Sequence, residues 1–220
     1  NVAMGFQALS TDTLGNGSTA IGHHALQTQN FSSATTTYNT ALGYQAGKAV
    51  TNGNKNTLIG AQAGLAINTG GYNTAVGSEA LYTENGHGGN TAIGYRALFT
   101  QDGADNNVAV GRQAGSSILS GGLNTFIGAY SGGNLTLGQA NVALGYAALN
   151  TDVRGSNSTA IGYGALQYQV FSLAANSENT ALGYTAGRNI TSGQYNVMIG
   201  SKAGLTTNTG GSNHAIGYEA

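Results

Sequence analysis

The sequence predicts an all-β protein, a β-solenoid in which each 17-residue repeat forms one coil. The main observation is a phrase, Asn-Thr-Ala-Ile-Gly at 90–94, that recurs with small changes through all 220 residues. A fixed short period of this kind is the signature of repeat architectures. The step from one copy to the next is 17, except for two steps of 21 that follow Ser18 and Ser158. The thirteen repeats, the last of them partial, begin at Asn1, Ser18, Asn39, Asn56, Asn73, Asn90, Asn107, Asn124, Asn141, Ser158, Asn179, Asn196 and Asn213.

Each repeat opens with the pattern of a short strand. Counted from its first residue, Thr or Val usually occupies position two, Ala position three, an aliphatic residue or Met position four and Gly position five. A β-branched run between Asn and Gly is typical of a strand. Helices are excluded because the apolar spacing does not follow 3.6 residues and each Gly would cost about 1 kcal/mol in a helix.

Side chains alternate along this strand, so Thr91 and Ile93 share one face while Ala92 and Gly94 share the other. Neither face is charged, and we therefore expect both to be covered. We expect position four to fill the coil interior as a continuous ladder, and the small residues of position three to face a second sheet or chain. The predicted structural ladder consists of Ile21, Leu42, Ile59, Val76, Ile93, Val110, Ile127, Leu144, Ile161, Leu182 and Ile199.

Glycine at position five is invariant among the repeats, and two physical reasons are open. It either provides a bend that needs positive φ or lies where one backbone crowds another. The predicted turn glycines are Gly43, Gly60, Gly77, Gly94, Gly111 and Gly128.

A second, longer period is superimposed on the 17-residue repeat. Position nine alternates between pairs of Leu and pairs of Gly, and the Gly repeats tend to have an apolar residue at position twelve, as in Ile118 and Leu135. We interpret this as compensation for lost core volume. The whole pattern recurs at a step of 140, and residues 1–80 match 141–220 at more than half of their positions. We therefore predict one continuous array over residues 1–220, built by duplication and belonging to a longer protein.

Composition narrows the classes of function. Only 7% of the residues are charged, against about a quarter in typical domains, and the net charge is −1. Nucleic acid is an unsuitable partner because phosphate binding needs clustered Lys and Arg. Apolar runs are too short for a membrane span, and the absence of cysteine excludes disulfides.

No recognisable chemistry recurs in the repeat. We interpret the acidic residues as scattered over different repeat positions, which predicts solvated turn residues rather than a general acid–base pair, and no enzyme. The segment 102–106 offers oxygen ligands but lacks the repeated aspartates of calcium-binding β-rolls. His87 and His214 lie in different repeats from the pair His23 and His24, so neither a zinc site nor a cofactor is expected.

Aromatic residues recur at position six and form a predicted column on the stacked coils. The column is either a structural ladder that shields the turn or a stripe for carbohydrate or subunit contact. The candidates for surface contact are Tyr44, Tyr95, Tyr146, Tyr163 and Tyr184.

The phrases Asn-Thr-Ala-Ile-Gly-Tyr at 90–95 and Asn-Val-Ala-Val-Gly at 107–111 resemble the Ser-Val-Ala-Ile-Gly repeat in the head of YadA-like trimeric autotransporter adhesins. They are also similar to repeats of bacterial and phage fibre proteins. The resemblance implies a left-handed β-roll, three chains around a common axis and display on the bacterial surface, although the family's head repeats are usually shorter. The segment 93–98 also fits the hexapeptide of left-handed β-helices, which makes a three-sided helix the second architecture.

We therefore expect a structural or adhesive fibre segment, extracellular or on the cell surface, that self-associates as a homotrimer or filament. Host-surface or matrix carbohydrate or protein is a further expected partner. The alternatives are a phage tail-fibre shaft and a surface-recognition module that binds carbohydrate or ice. An ice-binding face needs an unbroken Thr array, and the Thr column at position two is interrupted by Val2, Val108, Val142, Val197 and His214.

Overall fold

The computed structural model describes all residues 1–220 and contains strands and turns but no helix. About thirteen coils of parallel strands form a β-solenoid, with one 17-residue repeat per coil outside the two longer steps. The predicted fold class is therefore confirmed, while its left-handedness stays a prediction. No element is a helix with the length and apolar character needed to cross a membrane.

The first compact unit comprises residues 1–107. Its strands pair in parallel with a constant register, so that Leu58 lies opposite Ala75 and Ile59 opposite Val76. The strands are β1 (Val2–Met4), β2 (Gly15–Asn16), β3 (Thr19–Ile21), β4 (Thr35–Thr36), β5 (Thr40–Leu42), β6 (Thr57–Ile59), β7 (Thr74–Val76) and β8 (Thr91–Ile93).

The second compact unit comprises residues 108–220 and repeats this arrangement. Phe126 lies opposite Ala143 and Ile127 opposite Leu144. That residues 1–220 form a single continuous array stays a prediction. The strands are β9 (Val108–Val110), β10 (Thr125–Ile127), β11 (Val142–Leu144), β12 (Gly155–Ser156), β13 (Thr159–Ile161), β14 (Ala175–Asn176), β15 (Thr180–Leu182), β16 (Val197–Ile199) and β17 (His214–Ile216).

The coil interior is lined by position three, not position four. Ala92 is fully buried whereas the next residue, Ile93, is 38% exposed, and no residue at position four is buried. The expectation of an inner position-four ladder is therefore wrong. The residues do stack in register, but on the outer face of the coil: Ile21, Leu42, Ile59, Val76 and Ile93 in the first unit, and Val110, Ile127, Leu144, Ile161, Leu182 and Ile199 in the second.

Volume explains why the small side chain points inward. Ala97 at position eight and Leu98 at position nine are also fully buried, so little room is left beside the strand. Position three is larger than Ala only at Leu58, Phe126 and Met198, each in a repeat that has Gly at position nine. A Cβ on Gly64 would lie 2.7 Å from Cδ2 of Leu58, so the large side chain occupies the space that glycine leaves.

The predicted compensation between positions nine and twelve agrees with the packing at Gly64, where an added Cβ would lie 2.8 Å from Cδ1 of Ile67. Leu81 and Leu98 are fully buried in Leu repeats, and Ile118 and Leu135 are fully buried in Gly repeats. Position nine has a left-handed backbone in both cases, with φ of 49° at Leu98 and 57° at Gly132. Glycine removes the strain of this conformation but also removes a core side chain, which position twelve replaces.

The turn glycines are needed for both predicted reasons, a positive φ and the close approach of another backbone. Gly60 has a φ of 132°, in the region that favours glycine. A Cβ on Gly60 would also lie 2.5 Å from the carbonyl oxygen of Gly77 in the next coil. The other five, Gly43, Gly77, Gly94, Gly111 and Gly128, have φ between 126° and 139°.

The two four-residue insertions add short strands. Thr35–Thr36 pairs in parallel with Gly15–Asn16, and Ala175–Asn176 pairs with Gly155–Ser156. The insertions thus extend the hydrogen bonding between coils while the register of the main strands is kept.

Candidate functional site

One candidate site is an exposed surface that we call the outer stripe, made of repeat positions two and four. In β11, Val142 is 38% and Leu144 is 44% exposed, while Ala143 between them is fully buried. Neither position contains Lys, Arg, Asp or Glu in any repeat. The outer stripe is therefore a flat, uncharged surface that combines aliphatic side chains with Thr hydroxyl groups.

The tyrosine column runs beside the outer stripe. Tyr146 and Tyr163 stack with ring centroids 5.3 Å apart and an interplanar angle of 12°, and Tyr163 stacks on Tyr184 at 5.4 Å. Tyr44 stacks on His23 at 5.5 Å. Each of these tyrosines is about half exposed, so the rings shield one another while their edges remain in solvent.

Tyr95 has a cation as its neighbour. The guanidinium of Arg96 lies 5.1 Å from the centre of the Tyr95 ring, and its Nε donates a hydrogen bond of 2.6 Å to Glu79. This bond to Glu79 raises the pKa of Arg96 above its ordinary value. The charge of Arg96, beside Tyr95, is thus paired with that of Glu79.

A second feature lies inside the coils, where position-one Asn side chains form a hydrogen-bonded ladder. The backbone N–H of Asn73 donates to Oδ1 of Asn56 at 2.9 Å, and Nδ2 of Asn56 donates to the carbonyl of Gly70 at 2.9 Å. Both Asn side chains are fully buried. Because buried polar groups need partners, this ladder explains why Asn opens the repeat.

The third feature is a set of acid–glutamine pairs at position twelve of the Leu repeats, two of them fully buried. Nε2 of Gln169 donates to Oδ2 of Asp152 at 2.6 Å, and both residues are fully buried. Nε2 of Gln101 donates to Oε2 of Glu84 at 3.0 Å in the same way. A third pair, Asp12 with Gln29, has a distance of 2.9 Å.

These pairs correct the prediction that the acidic residues are solvated and out of register. Glu84 and Asp152 are fully buried and, with Asp12, occupy the same repeat position. Position twelve is mostly aliphatic in the Gly repeats, whereas in the Leu repeats it alternates acid and Gln. The signal for these pairs is therefore visible in the sequence once the two kinds of repeat are compared separately.

The structure also brings together residues that the sequence analysis treated separately. One carboxylate oxygen of Glu84, a ring nitrogen of His87 and a carboxylate oxygen of Asp102 lie within 4.8 Å of one another. Glu84 and Asp102 belong to adjacent coils, since their repeats begin at Asn73 and Asn90. The sequence analysis missed this grouping because it compared His87 only with the other histidines.

The surface grooves lie away from the outer stripe. One shallow groove in the first unit is lined by positions eleven and thirteen of successive repeats, among them Thr83, Asn85 and Asp102. Positions two and four do not line it, and the outer stripe consequently offers a surface rather than a pocket.

No protein-family model, no curated protein and no solved structure matches the chain.

Proposed function

We propose that the chain is a structural segment of an extracellular or cell-surface fibre, in which the outer stripe binds the same stripe of further copies of this chain. The observation that carries this proposal is that each unit exposes aliphatic side chains at position four: Leu42 and Ile93 in the first unit, Leu144 and Leu182 in the second. Repeated exposure of large apolar side chains on one face marks interaction sites.

A second copy of the chain suits the outer stripe better than a small ligand does. The stripe is flat, whereas small-molecule sites are concave. It carries no formal charge at positions two and four, so two copies meet without repulsion between like charges. Each Å² of apolar surface that two copies bury against each other contributes about 25 cal/mol to the free energy of association. Because positions two and four recur in every repeat, each coil adds a similar contribution.

The solenoid supports the structural part of the proposal. Parallel pairing in constant register and the buried Asn ladder tie each coil to its neighbour through backbone and side-chain hydrogen bonds. Such local, repeated contacts are how repeat proteins build extended surfaces. Adhesion to host or matrix carbohydrate or protein remains part of the proposal as the task of the assembled fibre. The absence of an enzymatic activity stays a prediction.

Stacking of the tyrosines weighs against carbohydrate recognition by this column. Tyr163 has a ring stacked on each side, Tyr146 and Tyr184, and sugars bind to aromatic faces rather than edges. The column is better explained as a stabilising ladder along the margin of the outer stripe.

Sedimentation of the 22.0 kDa chain over a concentration series tests the proposal. We expect a species larger than the monomer, and we expect the double variant Leu144→Lys with Leu182→Lys to sediment as a monomer. The matched control places the same charges on exposed residues outside the stripe, Ser120→Lys with Ser192→Lys, and should sediment like the native chain. A native chain that stays monomeric at every concentration would contradict self-association.

A further inference from the structure

We propose that Glu84, His87 and Asp102 form a binding site for a divalent transition-metal ion with the coordination chemistry of Zn²⁺. Each side chain offers one ligand atom, and the three atoms lie within 4.8 Å of one another. The site lies in the first unit and uses none of the residues of the outer stripe.

The carboxylate of Glu84 supplies a buried negative charge. The residue is fully buried, with Oε1 accepting 2.7 Å from the backbone N–H of His87 and Oε2 accepting 3.0 Å from Gln101. Its one ion-pair contact is with the His87 ring. A carboxylate removed from water needs a compensating positive charge, and neither of its hydrogen-bond donors is cationic.

His87 directs an unsatisfied nitrogen at this carboxylate. Nδ1 lies 3.3 Å from Oε1 of Glu84, is shielded from solvent and makes no hydrogen bond. Ligands at about 2.0–2.1 Å from a tetrahedral zinc ion are about 3.3 Å apart along an edge of the tetrahedron. The Nδ1–Oε1 separation is therefore that of two ligands of one ion.

Asp102 gives the site its third ligand and its access to solvent. Its side chain is exposed and lines the shallow groove together with Thr83 and Asn85. An ion can thus reach the buried Glu84 from the groove side. Three protein ligands leave one tetrahedral position for water.

The type of ligand selects the type of metal. Ca²⁺ and Mg²⁺ prefer sites made entirely of oxygen, whereas an imidazole beside two carboxylates suits Zn²⁺ and its neighbours in the first transition series. We therefore assign the site to a transition metal and not to calcium.

Two other places in the fold share this architecture but lack the ligands. At Asp152 the carboxylate accepts 3.0 Å from the backbone N–H of Gly155, as Glu84 does from His87. The residue that corresponds to Asp102 is Val170. At Asp12 the corresponding residues are Gly15 and Asn30. The imidazole and the second carboxylate thus occur only at Glu84, so the cluster is not a by-product of the repeat.

Calorimetric titration of the metal-free chain of residues 1–220 with zinc chloride tests the site. We expect saturable binding of one ion, and at least tenfold weaker binding in His87→Gly, which copies the glycine found at Gly15 and Gly155. Asp102→Asn, a change at an exposed residue, should also weaken binding by at least tenfold. Circular dichroism of both variants checks that the coils remain folded.

A control must distinguish this site from His23 and His24, which are consecutive in the sequence and have ring centroids 4.0 Å apart. His24→Ala should leave zinc binding to the cluster unchanged. Binding that survives His87→Gly and disappears in His24→Ala would overturn the proposal, as would the absence of saturable binding to the native chain. Tighter binding of Ca²⁺ than of Zn²⁺ would overturn the assignment of the metal.

Discussion

The side chain of Asn56 accepts a hydrogen bond from the backbone N–H of Asn73 in the next coil, at 2.9 Å, and donates one to Gly70. We predict that Asn56→Ala destabilises the fold by about 1–3 kcal/mol, because both buried partners lose their hydrogen bonds. Urea denaturation measures the change. Asn52→Ala, at an exposed asparagine, is the control and should stay within about 0.5 kcal/mol of the native chain.

Neighbouring residues of β10 test which face is the core. Phe126 is fully buried and Ile127 is 39% exposed. Phe126→Ala should cost about 3–5 kcal/mol, and Ile127→Ala less than about 2 kcal/mol, because only the first removal leaves a cavity. Denaturation midpoints of the two variants decide the question. A larger loss of stability for Ile127→Ala than for Phe126→Ala would indicate that position four lies in the interior.

Periodicity was enough to predict the coils, because a strand bounded by Asn and Gly recurs at a fixed distance and every copy must pair with the next. It could not assign the faces, since Ala92 and Ile93 are both apolar and alternation alone does not say which one points inward. The space left by Ala97 and Leu98 decides it. A signal was present, because position three is enlarged only in repeats with Gly at position nine.

The buried carboxylates were harder to predict for a different reason. Hydrophobic patterning assigns an acid such as Glu84 to solvent, whereas in the structure Glu84 is buried and accepts hydrogen bonds from Gln101 and the His87 backbone. Proximity to Asp102 depends on the path of the turns between coils, which the strand period does not specify.

Gly60 provides a test of the crowded turn. Gly60→Ala should destabilise the fold by at least about 1–3 kcal/mol, the usual cost of a strained backbone conformation, because φ is 132° and the new Cβ would meet the Gly77 carbonyl at 2.5 Å. Thermal denaturation is a suitable measurement. Gly86→Ala is the matched change, since its Cβ would meet only the Thr69 hydroxyl at 3.3 Å. Equal losses in the two variants would exclude the crowding explanation.

A surface ion pair gives a prediction for pH. Nζ of Lys202 donates to Glu219 at 2.7 Å, and this hydrogen bond lowers the pKa of Glu219 below its usual value of 4.5. A lowered carboxyl pKa contributes stability that is complete above pH 4.5 and is lost as the pH falls through the folded-state pKa. NMR titration of the Glu219 carboxyl should therefore give a midpoint below 4.5. Lys202→Gln should raise that midpoint, whereas Lys48→Gln should not.

Asp152 and Gln169 test the buried polar pairs, because their hydrogen bonds depend on which side chain is the acceptor. Oδ1 of Asp152 accepts 3.0 Å from Gly155, and Oδ2 accepts 2.6 Å from Gln169. Asp152→Asn has only one acceptor oxygen, so either Gly155 or Gln169 loses its partner. We expect a loss of about 1–3 kcal/mol in chemical denaturation.

Exchanging the acid and the amide between positions 152 and 169 should restore the lost stability. In the double variant Asp152→Asn with Gln169→Glu, the new Asn oxygen accepts from Gly155 and its amide donates to the new carboxylate. The Glu at position 169 still accepts from Nδ2 of Asn179, which is 2.8 Å from the Gln169 oxygen in the native chain. Net charge and side-chain volume are unchanged, so the double variant should be more stable than Asp152→Asn. The single variant Gln169→Glu completes the comparison. If the stability losses of Asp152→Asn and Gln169→Glu simply add in the double variant, the two residues are not coupled by this hydrogen bond, since independent sites give additive changes in unfolding free energy.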